Sequence, residues 1–128
     1  MPDPTNASPD QPWTLTYHRG LQYVRQQNIK PAKEAFVESL YLSIASKEVL
    51  GSAANLCELG KLCGHAAYYE KGGEYLFMAI QLCRKIRDPR GLAPCLLGLA
   101  DMALRRGDVP QAEQFVQEGR HYAYCTVS

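Results

Sequence analysis

The feature that most constrains the fold of this chain is self-similarity at a spacing of 40 residues. Five sets of three residues keep their size class at this spacing: Gly20, Gly60 and Ala100; Ala32, Gly72 and Ala112; Phe36, Leu76 and Val116; Ser39, Ala79 and Gly119; and Ile29, Tyr69 and Val109. Such a period is typical of a repeat array, in which each unit buries its apolar face against its neighbours. The sequence therefore predicts three units, at residues 13–52, 53–92 and 93–128, after a proline-rich, disordered leader at residues 1–12.

Each unit is predicted to be a pair of helices. In the first unit, a helix from Trp13 to Gln26 ends at Gln27-Asn28, and Pro31 lies in the first turn of the next helix, where its missing N–H costs nothing. The third unit repeats this pattern, with a break and a helix cap at Gly107-Asp108 and a helix start at Pro110. Alternating strand patterns are scarce. The sequence thus predicts an all-α chain of about six helices.

The recurring small residues predict where the two helices of each pair approach closely. We expect Gly20, Gly60 and Ala100 to face Ala32, Gly72 and Ala112 across the pairs, and Phe36, Leu76 and Val116 to fill the gap to the next helix. Two consecutive glycines, Gly72 and Gly73, cost about 1 kcal/mol each in a helix interior relative to alanine. Close packing is the favoured explanation for these two glycines, and a flexible hinge is the alternative.

Charge and apolar patterning exclude several classes of partner. The 14 Lys and Arg residues nearly balance the 13 Asp and Glu residues, whereas nucleic-acid-binding domains usually carry a basic excess. No apolar run reaches the roughly 18 residues that a membrane span needs, and residues 1–4 do not begin a secretory signal. We therefore expect a cytoplasmic protein that binds neither nucleic acid nor membrane.

The cysteines predict buried thiols rather than disulfides or a metal site. Five are present, an odd number in a chain without an export signal: Cys57, Cys63, Cys83, Cys95 and Cys125. The nearest approach to a metal-ligand pattern is Cys57, Cys63 and His65, which lacks a fourth ligand and the paired spacing of zinc sites. We expect no metal and no cofactor.

Residues for catalysis are also scarce. Of the three histidines, only His65 has a cysteine nearby in the sequence. No glycine-rich phosphate loop follows a strand, and the carboxylates are scattered over polar helix faces rather than paired in apolar surroundings. The sequence predicts a protein that is not an enzyme.

The size pattern of the units resembles the tetratricopeptide repeat. The resemblance is carried by Leu59-Gly60, Tyr69-Glu70-Lys71-Gly72, Glu74-Tyr75-Leu76 and Ala79; by Gly20, Tyr23, Ala32 and Phe36; and by Leu99-Ala100, Gly107-Asp108 and Ala112. The 40-residue period is similar to the longer repeats of G-protein-signalling-modulator and kinesin-light-chain type proteins. Departures are Thr16, where Trp or Leu is common, and Cys63 and Ala103, where Tyr is common. The resemblance implies a right-handed superhelix, or solenoid, whose first helices line a concave groove for a peptide or helix of a partner protein.

The resemblance also implies which residues line this groove. They are Tyr17, His18, Leu21 and Arg25 in the first unit; Cys57, Glu58, Lys61 and His65 in the second; and Leu97, Asp101 and Arg105 in the third. Tyr17 and Leu21 stand where the family's carboxylate clamp has Lys and Asn, so a chaperone tail is not the expected ligand. The mixture of aromatic, aliphatic and charged residues favours an amphipathic segment. The alternative is that Tyr17 and Leu21 cover the core while Arg25 and Lys61 are solvated charges.

A second hypothesis is a self-associating structural or regulatory subunit. The last helix carries Phe115, Tyr122 and Tyr124 near the end of the array, where aromatic surface would favour association. The expected state is therefore a monomer or a weak homodimer formed through the last helix pair. An adaptor or scaffold that binds another protein remains the primary prediction.

Overall fold

The computed structural model describes residues 11–125, apart from the side chains of residues 90 and 123–125. These residues form six α-helices and no strand: α1 (Pro12–Arg25), α2 (Ile29–Ala45), α3 (Val49–His65), α4 (Tyr69–Lys85), α5 (Pro89–Arg105) and α6 (Val109–Cys125). The prediction of an all-α chain with about six helices is confirmed. The predicted leader lies outside the described residues except for its last two positions, Gln11 and Pro12, and Pro12 begins α1.

The five linkers between the helices share one backbone design. Each has three residues, and the middle one has a positive φ: Gln27, Lys47, Ala67, Arg87 and Gly107. In the first linker, the Asn28 amide donates to the Tyr23 carbonyl (2.9 Å) and the Gln27 amide donates to the Val24 carbonyl (2.9 Å). These are the two hydrogen bonds of a Schellman cap, which satisfies carbonyls that the helix end leaves free. The same pair of bonds recurs in all five linkers.

The helix starts agree with the proline and cap signals of the sequence. Pro31 and Pro110 lie in the first turns of α2 and α6, as predicted. The side chain of Asp108 accepts a hydrogen bond from the Gln111 amide (3.2 Å), which confirms it as the cap of α6. A helix start with Pro12 in its first turn fits α1 for the same reason, because proline has no N–H to leave unpaired.

The helix pairs begin earlier than the predicted units. The second and third pairs start at residues 49 and 89, four residues before the predicted boundaries at 53 and 93. The difference arises because α1 has 14 residues whereas the other helices have 17. Unit boundaries counted in steps of 40 residues from Trp13, near the start of the shorter first helix, therefore fall after the observed starts of α3 and α5.

Packing between helices follows a simple rule. Each helix packs against the next one in the chain, and α3 also packs against α1 and α5. Among the described residues, no two of α2, α4 and α6 bring their Cα atoms within 8 Å of each other. The odd-numbered helices therefore lie side by side, and the even-numbered helices are separated.

Helices α3 and α4 approach each other closely at two glycines. A Cβ atom on Gly60 would lie 2.7 Å from Cγ of Leu76 and 2.9 Å from the carbonyl oxygen of Gly72, so the predicted contact between Gly60 and Gly72 is confirmed. A Cβ atom on Gly73 would meet nothing within 4 Å. The close-packing explanation therefore holds for Gly72 and is wrong for Gly73. Leu76 also lies 3.3 Å from the Cβ position of Gly98 on α5, as expected for a residue that fills the gap to the next helix.

The first helix pair places an aromatic ring beside its glycine. A Cβ atom on Gly20 would lie 2.6 Å from the ring of Phe36, the residue equivalent to Leu76, so this ring occupies the space that the glycine leaves. Phe36 is completely buried and belongs to a core cluster with Trp13 and Leu59. One ring therefore joins α1, α2 and α3.

A buried polar network connects α1, α2 and α3. The Ser39 hydroxyl donates to the Trp13 carbonyl (2.8 Å), and the Asn55 side-chain amide donates to the Ser39 hydroxyl (2.8 Å). Ser43 and Ser52 share a hydrogen bond of 3.0 Å beside it. These bonds offset the burial of the hydroxyl groups and of the Asn55 side-chain N–H groups, whereas Oδ1 of Asn55 is buried without a hydrogen-bond partner.

The junction of α3, α4 and α5 has the same backbone but different chemistry. The residues 40 positions after Ser39, Ser43, Ser52 and Asn55 are Ala79, Cys83, Leu92 and Cys95. Cys57, Cys83 and Cys95 are free buried thiols, as predicted, whereas Cys63 is only partly buried. Hydrogen bonds with Cys57 and Cys83, together with burial, hold the pKa of Cys95 far above its usual range. These thiols therefore act as small apolar side chains.

Replacing Phe36 with alanine should lower the free energy of unfolding by about 3–5 kcal/mol, because it leaves a large cavity where three helices meet. Phe77→Ala is the matched control, since Phe77 is 53% exposed and its loss should cost less than about 1 kcal/mol. Urea unfolding followed by circular dichroism measures both. Equal effects of the two substitutions would contradict the placement of Phe36.

The two neighbouring glycines of α4 and their partner on α3 give a second comparison. Gly60→Ala should destabilise the protein by about 1–3 kcal/mol, since the new methyl group meets Leu76 and the backbone of Gly72. Gly73→Ala should instead stabilise it by up to about 1 kcal/mol, because alanine favours the helix and finds open space. Thermal unfolding of the two variants should therefore shift in opposite directions. A stabilised Gly60→Ala variant would show that α3 and α4 do not approach this closely.

Candidate functional site

The residues predicted to line a groove lie on the three adjacent odd-numbered helices. On α1 they are Tyr17, His18, Leu21 and Arg25; on α3, Cys57, Glu58, Lys61 and His65; and on α5, Leu97, Asp101 and Arg105. The structure brings part of this set together between α3 and α5 and directs the rest elsewhere.

A cluster of charged and polar side chains joins α3 to α5. Arg105 donates from Nε to Oδ2 of Asp101 (2.9 Å) and from Nη2 to Nδ1 of His65 (2.9 Å). Since a guanidinium has no acceptor, Arg105 is the donor in this bond and Nδ1 of His65 accepts it. On α3, Lys61 pairs with Glu58 at 3.3 Å. We call these five residues the α3–α5 charge cluster.

Lys61 also contacts α5. Its aliphatic stem lies on α5, where Cγ is 3.3 Å from the Cβ position of Gly98. Burial is the largest single influence on the pKa of Lys61 and would lower it, but the charge and hydrogen bond of Glu58, together with electrostatic interactions with Cys57 and Cys95, raise the pKa above its usual value. Lys61 thus remains charged, with its side chain 40% exposed and its ammonium group paired with Glu58.

Two of the predicted groove residues are wrong because they are buried. Tyr17 is only 5% exposed, and its ring packs edge-on against Trp13 (5.6 Å between centroids) and tilted against Phe36 (5.9 Å). Tyr17 follows Trp13 by one helical turn, so both rings point into the same core. Cys57 is also 5% exposed and belongs to the thiol-containing core.

The other predicted residues lie at the margins of this face. Leu21 is half-buried against the core around Phe36, and His18 lies edge-on to the ring of Tyr17 (5.8 Å). Arg25 is exposed at the end of α1. Leu97 is half-exposed but lies beside α6, with Cδ2 3.4 Å from the Cβ position of Gly119, so it does not join the α3–α5 charge cluster.

Sequence reasoning missed two grooves that open between the even-numbered helices. The α2–α4 groove has α3 as its floor and a volume of about 420 Å³. Its lining is Ile29, Lys33, Leu59, Leu62, Cys63, Ala66, Tyr68, Lys71 and Tyr75. The α4–α6 groove has α5 as its floor and a volume of about 610 Å³. Its lining is Tyr69, Glu70, Gly73, Glu74, Phe77, Met78, Leu99, Met102, Arg106, Gln111 and Phe115.

The two grooves are equivalent in the repeat. Seven lining positions of the α2–α4 groove recur 40 residues later in the α4–α6 groove: residues 29, 33, 59, 62, 66, 71 and 75. The recurrence of Ile29, Tyr69 and Val109 was the sequence feature that could have indicated these grooves. These apolar residues start their helices, and two of them, Ile29 and Val109, are about half exposed. Periodicity alone did not distinguish such rim positions from core positions.

The chemistry that these surfaces support is recognition by side-chain hydrogen bonds, ion pairs and apolar contact. Residues 11–125 contain no group of three or more His, Cys, Asp or Glu side chains placed to hold a metal ion. No helix in that part of the chain combines the length and the apolarity needed to cross a membrane.

No protein-family model matches the chain, and comparisons with curated proteins and with solved structures give no match either.

Proposed function

We propose that the chain is a non-enzymatic interaction module that binds a peptide or an amphipathic helix of a partner protein on the face shared by α1, α3 and α5. The contacts of α3 with both α1 and α5, together with the separation of α2, α4 and α6, support this proposal. In a row of helix pairs, the side on which neighbours touch is the concave side of the array. A right-handed superhelix of tetratricopeptide type, with the odd-numbered helices on the concave side, is the corresponding proposal for the fold.

The α3–α5 charge cluster supplies the polar part of the proposed site. It combines Lys61 and Arg105 with Glu58 and Asp101, so it offers both signs of charge at one place. The ion pairs Lys61–Glu58 and Arg105–Asp101 are partly exposed, and pairs of this kind contribute only about 0–1 kcal/mol to stability. They can therefore exchange partners with a bound segment at little cost to the fold.

The position of the cluster also suggests how a partner segment lies. On α1, Tyr17 is buried, which leaves Leu21 and Arg25 at that end of the face. A segment centred on α3 and α5 with one end near Arg25 fits this distribution. Self-association through the last helix has less support, since Phe115 and Tyr122 are partly buried against the core.

Reversing two charges of the cluster should abolish this interaction without unfolding the protein. The test uses peptides of about 16 residues selected from a displayed random library on the natural chain. We expect the combined Lys61→Glu and Arg105→Glu substitutions to lower the affinity for these peptides by at least about tenfold, or about 1.4 kcal/mol, because two groups proposed to contact the peptide change the sign of their charge. Fluorescence anisotropy with labelled peptides gives the dissociation constants.

The matched control reverses two charges away from this face. Lys85 and Arg120 are exposed on α4 and α6, so the pair Lys85→Glu and Arg120→Glu changes the net charge equally. Its peptide affinities should equal those of the natural chain. If the cluster variant and the control bind all selected peptides equally well, the proposed site on α3 and α5 is wrong.

A further inference from the structure

The α2–α4 groove shares no lining residue with the α3–α5 charge cluster. Leu59 and Leu62 of α3 form its floor and are 2% and 8% exposed, so the apolar surface open to a partner lies mainly on the rims. On its rims, the side chains of Ile29 and Tyr68 are 47% and 68% exposed. Apolar and aromatic side chains grouped around a groove commonly mark a docking surface, whereas single exposed ones need no explanation.

The charges of this groove are all positive. Lys33 of α2 and Lys71 of α4 line its opposite walls, and the residues that line it include no Asp or Glu. Both ammonium groups act on the thiol of Cys63 between them, whose pKa burial nevertheless raises above its usual value. Lys71 lies 5.3 Å from the centroid of the Tyr75 ring, a cation–π contact that holds the charge at the groove. In the described part of the chain, no carboxylate forms an ion pair with either lysine.

The repeat provides an internal comparison, because an equivalent groove forms without lysines at these positions. In the α4–α6 groove, the positions of Lys33 and Lys71 are taken by Gly73 and Gln111. That groove keeps its apolar floor and instead has Glu70, Glu74 and Arg106 in its lining. The same helix arrangement thus forms without the two lysines, so their placement requires a separate explanation.

We propose that the α2–α4 groove docks an acidic amphipathic helix of a partner protein, with its apolar stripe between the exposed side chains of Ile29 and Tyr68 and its carboxylates beside Lys33 and Lys71. Helix-in-groove docking suits a surface whose floor and walls are themselves helices. Because the lysines stand on opposite walls, the segment must carry acidic residues on both sides of its apolar stripe. A helix presents side chains in this way, whereas an extended strand sends alternate side chains to opposite faces. This site is separate from the one proposed on α3 and α5.

The direct test uses two synthetic helical peptides of about 18 residues with the same leucine stripe. One has glutamates flanking the stripe, and the other has lysines. We expect the acidic peptide to bind, and the combined Lys33→Glu and Lys71→Glu substitutions to weaken it by at least about tenfold. The basic peptide should bind the natural chain more weakly than the acidic one. Equal affinity of the acidic peptide for the natural and the substituted protein, or no binding at all, would overturn the proposal.

The variant pairs distinguish this site from the one on α3 and α5. Lys61→Glu with Arg105→Glu should leave the acidic peptide's affinity unchanged, because these residues lie outside the α2–α4 groove. If that variant loses binding of the acidic peptide while the Lys33→Glu and Lys71→Glu variant keeps it, the peptide binds at the α3–α5 charge cluster and the groove site is refuted. Circular dichroism should be unchanged throughout, since Lys33 and Lys71 are exposed.

Cys63 serves as a reporter within the groove, because Cys57, Cys83 and Cys95 are buried. In a Cys125→Ser background, its modification rate is measured with the dianionic disulfide of nitrobenzoic acid and with an uncharged dipyridyl disulfide. Binding of the acidic peptide should slow both reactions. Lys33→Glu with Lys71→Glu should lower the ratio of the dianionic to the uncharged rate by at least about tenfold, since the ratio removes the effect of thiol ionisation. An unchanged ratio would show that the lysines do not attract anions to the groove.

Other occupants give different results. If a second copy of the chain fills the groove, light scattering shows a mass that rises with concentration and that Lys33→Glu with Lys71→Glu returns to the monomer. If an anionic membrane fills it, phosphatidylserine vesicles sediment the natural chain and compete with the acidic peptide. Either result would overturn the assignment to a partner helix, whereas a constant monomer mass and no vesicle binding are expected.

Discussion

The structure depends on the conformation of five linkers, each of which reverses the chain within three residues. The middle residue must adopt a positive φ, and only Gly107 does so without a side-chain penalty. At Gln27, Lys47, Ala67 and Arg87 the strained conformation costs about 1–2 kcal/mol, which the two hydrogen bonds of the cap offset. Because the linkers recur every 20 residues, the helices from α2 onward are equally long, and the ends of neighbouring helices lie level with each other.

Helices of equal length, joined by the same chain reversal, produce the same arrangement of helices in each repeat. The side chains at equivalent positions can nevertheless differ in polarity. The junction around Ser39 and Asn55 is polar and hydrogen-bonded, whereas the equivalent junction around Ala79 and Cys95 is apolar. The polar junction specifies its alignment, because a shifted α3 would separate the Asn55 amide from the Ser39 hydroxyl of α2 at a cost of about 1–3 kcal/mol. The apolar junction relies on close packing around Leu76.

The two candidate binding surfaces also differ in whether their polar groups are already paired. On the α3–α5 charge cluster, Arg105 is already paired with Asp101 and His65, so a partner must exchange existing contacts. In the α2–α4 groove, Lys33 and Lys71 face each other across an apolar floor with no carboxylate in the lining. A partner at the cluster therefore gains mainly specificity, whereas an acidic partner at the groove gains both apolar burial and new ion pairs.

The sequence by itself determined the helices, the breaks at residues 27–28 and 107–108, and the contact of Gly60 with Gly72, since backbone preferences and residue size act locally or at a fixed repeat spacing. The residues of the α3–α5 charge cluster were indicated by the resemblance to the tetratricopeptide repeat, and a 3.6-residue period places them on one side of their helices.

Only the tertiary structure decided which neighbour covers each helix face. Tyr17 and Leu97 show this, since one is buried by Trp13 and Phe36 and the other lies beside α6, although the pattern placed both in the groove. The α2–α4 groove likewise exists because α2 and α4 do not touch, and that separation depends on how three helices cross. Periodicity gives the direction of a side chain from its own helix axis, and the helix crossings determine whether it meets core, partner or solvent.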